Sequence, residues 1–348
     1  MFKPKYSITH KINNSLLEIE RARGFLEAAQ LKGKWIREMQ SEAIALEAHH
    51  STHIEGTRLT LDQAKRILIG KEVPGVHLDD KKELLNYKKA MDFVSHYLEK
   101  ESPISEGLIR EIHKILVKGV RGDSADPGNY RKVQNYVVNA INNKIIYTPP
   151  PPYEVPHLMR ELVEWLNTPI AVSPIIIAGT TQFQFVHIHP FVDGNGRTAR
   201  LLCTLLLYKN GYDFKKLFSL SEFYDQKRND YYHAIQTVRS NNMDMTLWLE
   251  YFTNALKTQM LEVKSRGESA IKKDIIIERA SKEDLNERQR SVLLFLLNNP
   301  SIGRARYVEL FKVSLRTANY DLAQLEKLGF IEKTGIGRSI KYVIKEPT

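Results

Sequence analysis

Between His189 and Lys209 a glycine-rich turn opens into a segment that is apolar nearly all round. Gly194-Asn195-Gly196 contains two residues able to take backbone conformations closed to side chains with a β-carbon. Arg197 to Lys209 follows, with Leu201, Leu202, Leu205, Leu206 and Leu207 nearly all round it. A helix that is apolar on every side belongs at the centre of a domain, and Gly211 is a stop signal at its end. Any fold for this chain must therefore wrap other elements around that helix.

Candidate elements for the wrapping are mostly helical. Residues 11 to 50 carry Leu16, Ile19, Phe25, Leu26, Trp35, Ile36, Ile44 and Leu46 at near-helical spacing among charges. Thr60 to Gly70 is a second candidate, Ser105 to Val117 a third with Ser105 as cap, and Pro156 to Leu166 another. Ser173-Pro174 is a good helix start, but Ile175 to His189 suits a strand as well as a helix. Val133 to Ile141, Asn142-Asn143, then Lys144 to Tyr147 reads as a β-hairpin, and Pro149 to Pro152 enforces a stiff, extended exit. Lys264 to Asp284 is charged and poor in apolar residues, as a linker is. Beyond it, helices over Asn286–Leu297, Ala305–Phe311 and Ser314–Leu328 precede two short strands, Phe330–Lys333 and Ser339–Ile344, around Gly335-Ile336-Gly337.

The turn itself carries chemistry. His189 can accept a proton near neutral pH. Phe191 can anchor the loop in the core, and Asp193 can reach a Mg²⁺ ion bridging phosphate oxygens. The N–H groups of Gly194, Asn195 and Gly196 can converge on an anion where a helix begins. Arg197 and Arg200 lie one turn apart on that helix and supply fixed positive charge. The spacing of a P-loop is absent.

His189-Pro190-Phe191-Val192-Asp193-Gly194-Asn195-Gly196-Arg197, with Arg200, resembles the signature of the Fic family at every defining position. The resemblance implies a mainly α fold: a Fic-type helical core with a β-hairpin flap. It also implies an enzyme that transfers AMP from ATP to a protein hydroxyl, with ATP and Mg²⁺ as cofactors. On that reading His189 deprotonates the target hydroxyl, Asp193 holds Mg²⁺, Gly194, Asn195 and Gly196 hold the α-phosphate, and Arg197 and Arg200 bind the β- and γ-phosphates. Glycine at 196 leaves room for this orientation, where Doc-type relatives carry lysine and transfer the γ-phosphate. Tyr231 and Tyr232 resemble the adenine-pocket segment. Tyr147 and Thr148 belong to the flap, whose edge pairs with a target segment. Arg239 stands where some relatives have a pocket asparagine, so that role is not carried over. Ser51-Thr52-His53-Ile54-Glu55-Gly56 resembles the N-terminal inhibitory motif of the family, in which Glu55, with Ser51, pairs with Arg200 and takes the γ-phosphate position.

The expected organisation is an N-terminal helical region with the inhibitory motif at 1–95, a catalytic core at 96–262, a linker at 263–284 and a module at 285–348 that resembles the winged helix-turn-helix. That module, from Lys282, holds twelve Lys and Arg against eight Asp and Glu, with Arg304, Arg306, Lys312 and Arg316 around its candidate recognition helix and Arg338 and Lys341 on the wing. This suits phosphate contacts on DNA and equally a solvated face that docks protein. The net charge of +10 also suits polyanionic partners. Cys203 is the only cysteine, which points to a reducing cytoplasm, and no apolar run has the length of a membrane span. The expected partners are a target protein and the chain itself as a substrate; dimers are common in the family. Two other readings stay open: a transcription regulator whose Fic domain only senses nucleotide, and phosphocholine or phosphoryl transfer on the same scaffold.

Overall fold

The computed structural model describes residues 2–99, 102–120, 126–138, 144–169, 171–212 and 214–345. The chain divides into two compact units, Met1–Lys264 and Ser265–Thr348.

The first unit starts with α1 (His10–Ala28) and α2 (Gly33–Ile54), so the long helical pattern of residues 11 to 50 is broken once. Then come α3 (Leu61–Leu68), held by a reciprocal capping box between Thr60 and Gln63, and α4 (Leu78–Leu98). The next helix, α5 (Glu106–Val117), starts where Ser105 accepts a bond from the Leu108 N–H. The hairpin starts later than expected: among the described residues β1 (Val137–Val138) pairs antiparallel with β2 (Ile145–Tyr147), Val137 opposite Tyr147. Its expected turn at Asn142-Asn143 lies outside the described residues. After the prolines come α6 (Val155–Asn167), α7 (Pro174–Ile188), α8 (Asn195–Lys209), α9 (Leu220–Gln226), α10 (Arg228–Ser240) and α11 (Thr246–Lys282).

The ambiguous stretch after Pro174 is thus a helix, and α8 is the buried centre that its composition demands: every residue from Thr198 to Leu207 is buried. Helices α7, α5, α4 and α2 all pack against it. Residue 95 is therefore no boundary between compact units. One core contains Ile12, Ile19, Tyr87, Ile112, Leu201 and Trp248, because α2 and α4 supply part of the wall around α8. The expected linker differs too. It is the C-terminal part of α11, helical through Lys282. Its Lys, Glu, Ala and Ile residues are adequate helix formers, and Ile276 is buried in the core of the second unit.

That second unit holds α12 (Glu287–Leu296), β3 (Ile302–Gly303), α13 (Arg304–Phe311), α14 (Leu315–Lys327), β4 (Ile331–Thr334) and β5 (Lys341–Ile344). The three strands form one antiparallel sheet in the order β3-β5-β4. Two strands were expected there; β3 is only two residues long, too short to show an alternating pattern. The fully buried Asp321 carboxylate ties the unit together by accepting bonds from Asn286, Arg288 and Tyr307.

Candidate active site

The loop between α7 and α8 is shaped by two left-handed residues. His189 ends α7 at φ 52°, with its N–H on the Phe185 carbonyl at 2.9 Å. Gly194 precedes α8 at φ 78°, and a Cβ there would come within 2.7 Å of Val117 and 3.3 Å of His113, so both the backbone and the space require glycine. Between them Phe191 is fully buried and stacks on the His113 ring at 3.7 Å between centroids. His113 donates through Nε2 to the Asp193 carbonyl at 2.9 Å and accepts from the Gly128 N–H at Nδ1. Burial, the largest cause, lowers its pKa to about 4, with Arg197 acting the same way. A neutral ring thus supports the loop from α5.

Asn195 closes the loop on itself. Its Oδ1 accepts from the Phe191 N–H at 2.9 Å and its amide donates back to the Phe191 carbonyl at 2.8 Å. The same amide lies 3.2 Å from His189 Nδ1, and the Asn135 amide lies 2.9 Å from that nitrogen. Arg131 stitches the base of the hairpin to this loop. Its backbone N–H reaches the Pro190 carbonyl, its Nε the His189 carbonyl, and Nη2 the Pro150 carbonyl. His189 is half-buried, and burial followed by the charge of Arg131 lowers its pKa to about 4. At neutral pH the imidazole is uncharged and so able to accept a proton.

Facing the start of α8 is the end of α2. Arg200 Nη2 meets Glu55 Oε1 at 2.8 Å, its Nε meets Ser51 Oγ at 2.8 Å, and Nη2 also meets the Ser51 carbonyl at 2.7 Å. Burial opposes the arginine's charge, but Glu55, Tyr231 and Tyr87 outweigh it and hold the pKa above its ordinary value. The carboxylate of Glu55 lies against Gly196, where a Cβ would sit 2.2 Å from Oε1. Glycine at 196 therefore makes room for Glu55.

Arg197 and Arg200 have different partners. Arg197 is 1% exposed and bound to Glu83 of α4 at 2.7 Å, with Asp193 at 3.3 Å. Spacing placed the two arginines on one side of the helix, but a buried carboxylate from another helix, invisible to local pattern, has engaged the first. Asp193 keeps a partly exposed carboxylate, with Oδ1 accepting from the Gly194 N–H at 2.7 Å. No group of three or more His, Cys, Asp or Glu side chains able to hold a metal occurs among the described residues. A single, partly exposed carboxylate fits a Mg²⁺ ion that brings phosphate oxygens as its other ligands, and does not fit a metal held by protein alone.

The two tyrosines differ sharply. Tyr231 is buried and stacked on Tyr224 at 4.5 Å, with Trp248 and Tyr251 nearby. Tyr232 is 45% exposed and feels the charges of Glu55 and Arg200. Tyr147 donates its hydroxyl to the His187 carbonyl at 2.8 Å, and Thr148 beside it is exposed. The guanidinium of Arg239 lies 3.3 Å from the centre of the Tyr147 ring, with Nε and Nη2 buried and lacking hydrogen-bond partners among the described residues. Along the hairpin, Tyr136, Val138, Ile145 and Ile146 are exposed apolar residues. Sequence reasoning missed Asn135, Arg131, His113 and Glu83. Only Arg131 carried a local signal, as the charge following the Pro127-Gly128-Asn129-Tyr130 turn.

Residues 103–207 match the model of the Fic/DOC family. Over 231 residues, 66% of this chain, the sequence is 31% identical to a protein adenylyltransferase Fic of Drosophila willistoni and covers 43% of it. The chain thus spans less than half the length of the curated relatives it matches. A Fic family protein from Desulfovibrio desulfuricans has a similar structure, with TM-score 0.65 at 23% identity, over 100% of this chain and 99% of that one. Fic-1 of C. elegans aligns with TM-score 0.62 at 25% identity, over 74% of this chain and 73% of that one. With a match that takes in the His189–Arg200 loop and the helix it opens, residues 103–207 of this chain form a domain of the Fic/DOC family.

Proposed function

We propose that this chain is a protein adenylyltransferase held idle by its own Glu55. The observation that carries the reading is the contact of Glu55 with Arg200 and Gly196, at the start of the helix that follows Asp193 and the loop His189 opens. Arg200 is the fixed cation best suited to a terminal phosphate, since Arg197 is already committed to Glu83. With Glu55 withdrawn, the guanidinium and the space over Gly196 become available to ATP together.

In the transfer, His189 Nε2 takes the proton of the target hydroxyl as its oxygen bonds to the α-phosphorus. The bond from that phosphorus to the bridging oxygen breaks, and pyrophosphate leaves. The N–H groups at the start of α8 face the charge that builds on the α-phosphate. Mg²⁺ arriving with ATP would be held at Asp193, and it supplies charge neutralisation for the phosphates. The exposure of Tyr232 supports it, rather than the core residue Tyr231, as the side chain that packs on the adenine. The exposed apolar residues of the hairpin suit addition of a target strand.

The test is incubation of the Glu55→Gly variant with ATP labelled at either the α- or the γ-phosphate. Label kept on protein from the α position alone supports adenylyl transfer. Label from γ alone assigns phosphoryl transfer, and none from either removes ATP as donor.

For residues 285–348 we read a winged helix-turn-helix, in which β4 and β5 form the wing and α14 the recognition helix. Arg306, Lys312, Arg316 and Lys341 are exposed, which favours contact with nucleic acid phosphates. A salt-dependent shift of duplex DNA by the full chain tests this, and no shift at low salt removes it.

A further inference from the structure

Both nitrogens of His189 cannot play the same part, and the protein has already chosen between them. Asn195 cannot turn its amide over, because its Oδ1 takes the Phe191 N–H at 2.9 Å. Its Nδ2 therefore points at Phe191 O and at His189 Nδ1, 3.2 Å away. Asn135, just before β1, is held the same way round by the same carbonyl: its Nδ2 is 3.0 Å from Phe191 O and 2.9 Å from His189 Nδ1. An amide NH₂ only donates. Two donors aimed at Nδ1 leave that nitrogen no room for a proton of its own, so in the neutral ring the proton sits on Nε2. A base that is to take a hydroxyl proton through Nε2 needs the opposite tautomer.

We propose that Asn135 is a positioning residue that selects the tautomer of His189, holding it in the inactive form until its amide turns over. Turning the amide would present Oδ1 to Nδ1. That oxygen is now buried with no hydrogen-bond partner among the described residues, a costly state for an acceptor. The turn gives up the Asn135 bond to Phe191 O, which keeps its bond from Asn195 at 2.8 Å, and sets Oδ1 beside that carbonyl, a cost that the bond gained from Nδ1–H must offset. The proton balance is simple: Nε2 releases its proton to solvent, Nδ1 gains one, and the ring stays neutral with a lone pair free on Nε2. Asn135 lies two residues before β1, on the segment that leads into the hairpin. The charges around the ring, Arg131, Arg239, Glu55 and Asp193, affect how readily it protonates but not which nitrogen faces Asn135. The role in catalysis rests on the adenylyltransferase reading; the tautomer does not.

The experiment is ¹⁵N NMR of the full chain with ring-labelled histidine, the His189 signals being assigned with His189→Gln. The expected result is an unprotonated, hydrogen-bonded Nδ1 and a protonated Nε2 in the wild type. Asn135→Asp, which can only accept, should move the proton to Nδ1, and Asn135→Ala should leave a mixture. In the Glu55→Gly background, Asn135→Asp should alter kcat for AMP transfer and leave KM for ATP within about twofold, as expected of a group whose effect falls on the chemical step. A wild-type ring already protonated at Nδ1 overturns the proposal. So does an Asn135→Ala protein, folded by circular dichroism, whose ring is still purely the Nε2–H form, since Asn195 would then be sufficient. The spectra need no ATP, so the expected tautomers in a protein that transfers nothing would count against the enzymatic reading alone.

Discussion

Gly196→Ala is the smallest change that should release the brake. A Cβ at 196 would sit 2.2 Å from Glu55 Oε1 and 3.1 Å from both the Glu55 carboxyl carbon and Arg200 Nη1. The nearest of these is the tip of a flexible side chain that is 24% exposed, so the carboxylate should swing out to solvent. This breaks a 2.8 Å charge-assisted hydrogen bond to a guanidinium 2% exposed. At an effective dielectric constant of about 20 its Coulomb energy would be ~6 kcal/mol. Desolvation and the water that replaces Arg200 take back most of that, leaving about 1.5–3 kcal/mol. At about 1.36 kcal/mol per tenfold, transfer limited by the brake should rise roughly ten- to a hundredfold. The added methyl also intrudes on the phosphate site, so the assay is a double-mutant cycle. AMP incorporation from α-labelled ATP is measured for wild type, Gly196→Ala, Glu55→Gly and the combination. The alanine should raise the rate in the wild type and fail to raise it when Glu55 is already gone. An equal factor in both backgrounds would refute the reasoning, because the alanine would then act without reference to Glu55.

Other expectations follow from the same contacts. His113 is fully buried with a pKa lowered to about 4, so the unfolded chain binds the extra proton first as pH falls below ~6.5. Its contribution to stability is complete above pH ~6.5 and shrinks by about 3 kcal/mol as pH falls to about 4; urea midpoints across that range should decline, and His113→Phe should flatten the decline. Arg197→Ala would deprive the buried Glu83 of its arginine and should cost ~3–5 kcal/mol of stability, read as a lower urea midpoint, where a purely phosphate-binding arginine would alter ATP affinity alone. Tyr231→Ala should cost about 3–5 kcal/mol as a buried aromatic, while Tyr232→Ala should leave the melting temperature nearly unchanged and weaken ATP binding by calorimetry.

Much of the site was legible because it is local. Turn chemistry, the helix start and the chemistry-bearing side chains all fall within about a dozen residues of His189, and the all-round apolar α8 announces its own burial. What escaped depends on partners far along the chain. Glu83 takes Arg197 across 114 positions, His113 supports Phe191 across 78, and Asn135 reaches His189 across 54. None of these leaves a periodic trace. Helix α4 was missed for a different reason: its charged residues outnumber its buried ones, and Leu84, Tyr87, Ala90 and Val94 form a narrow stripe. The linker reading of Lys264 to Asp284 failed because charge and low hydrophobicity are shared by linkers and by solvated helices, and only burial of residues such as Ile276 separates them.

Intact-mass spectrometry after incubation with ATP and Mg²⁺ shows whether Glu55 blocks a site that otherwise transfers AMP. Glu55→Gly should gain the mass of one or more adenylyl groups, the wild type far less, and Glu55→Gly combined with His189→Ala none. An unmodified Glu55→Gly protein that still binds ATP, or an adduct that survives loss of His189, would contradict the account.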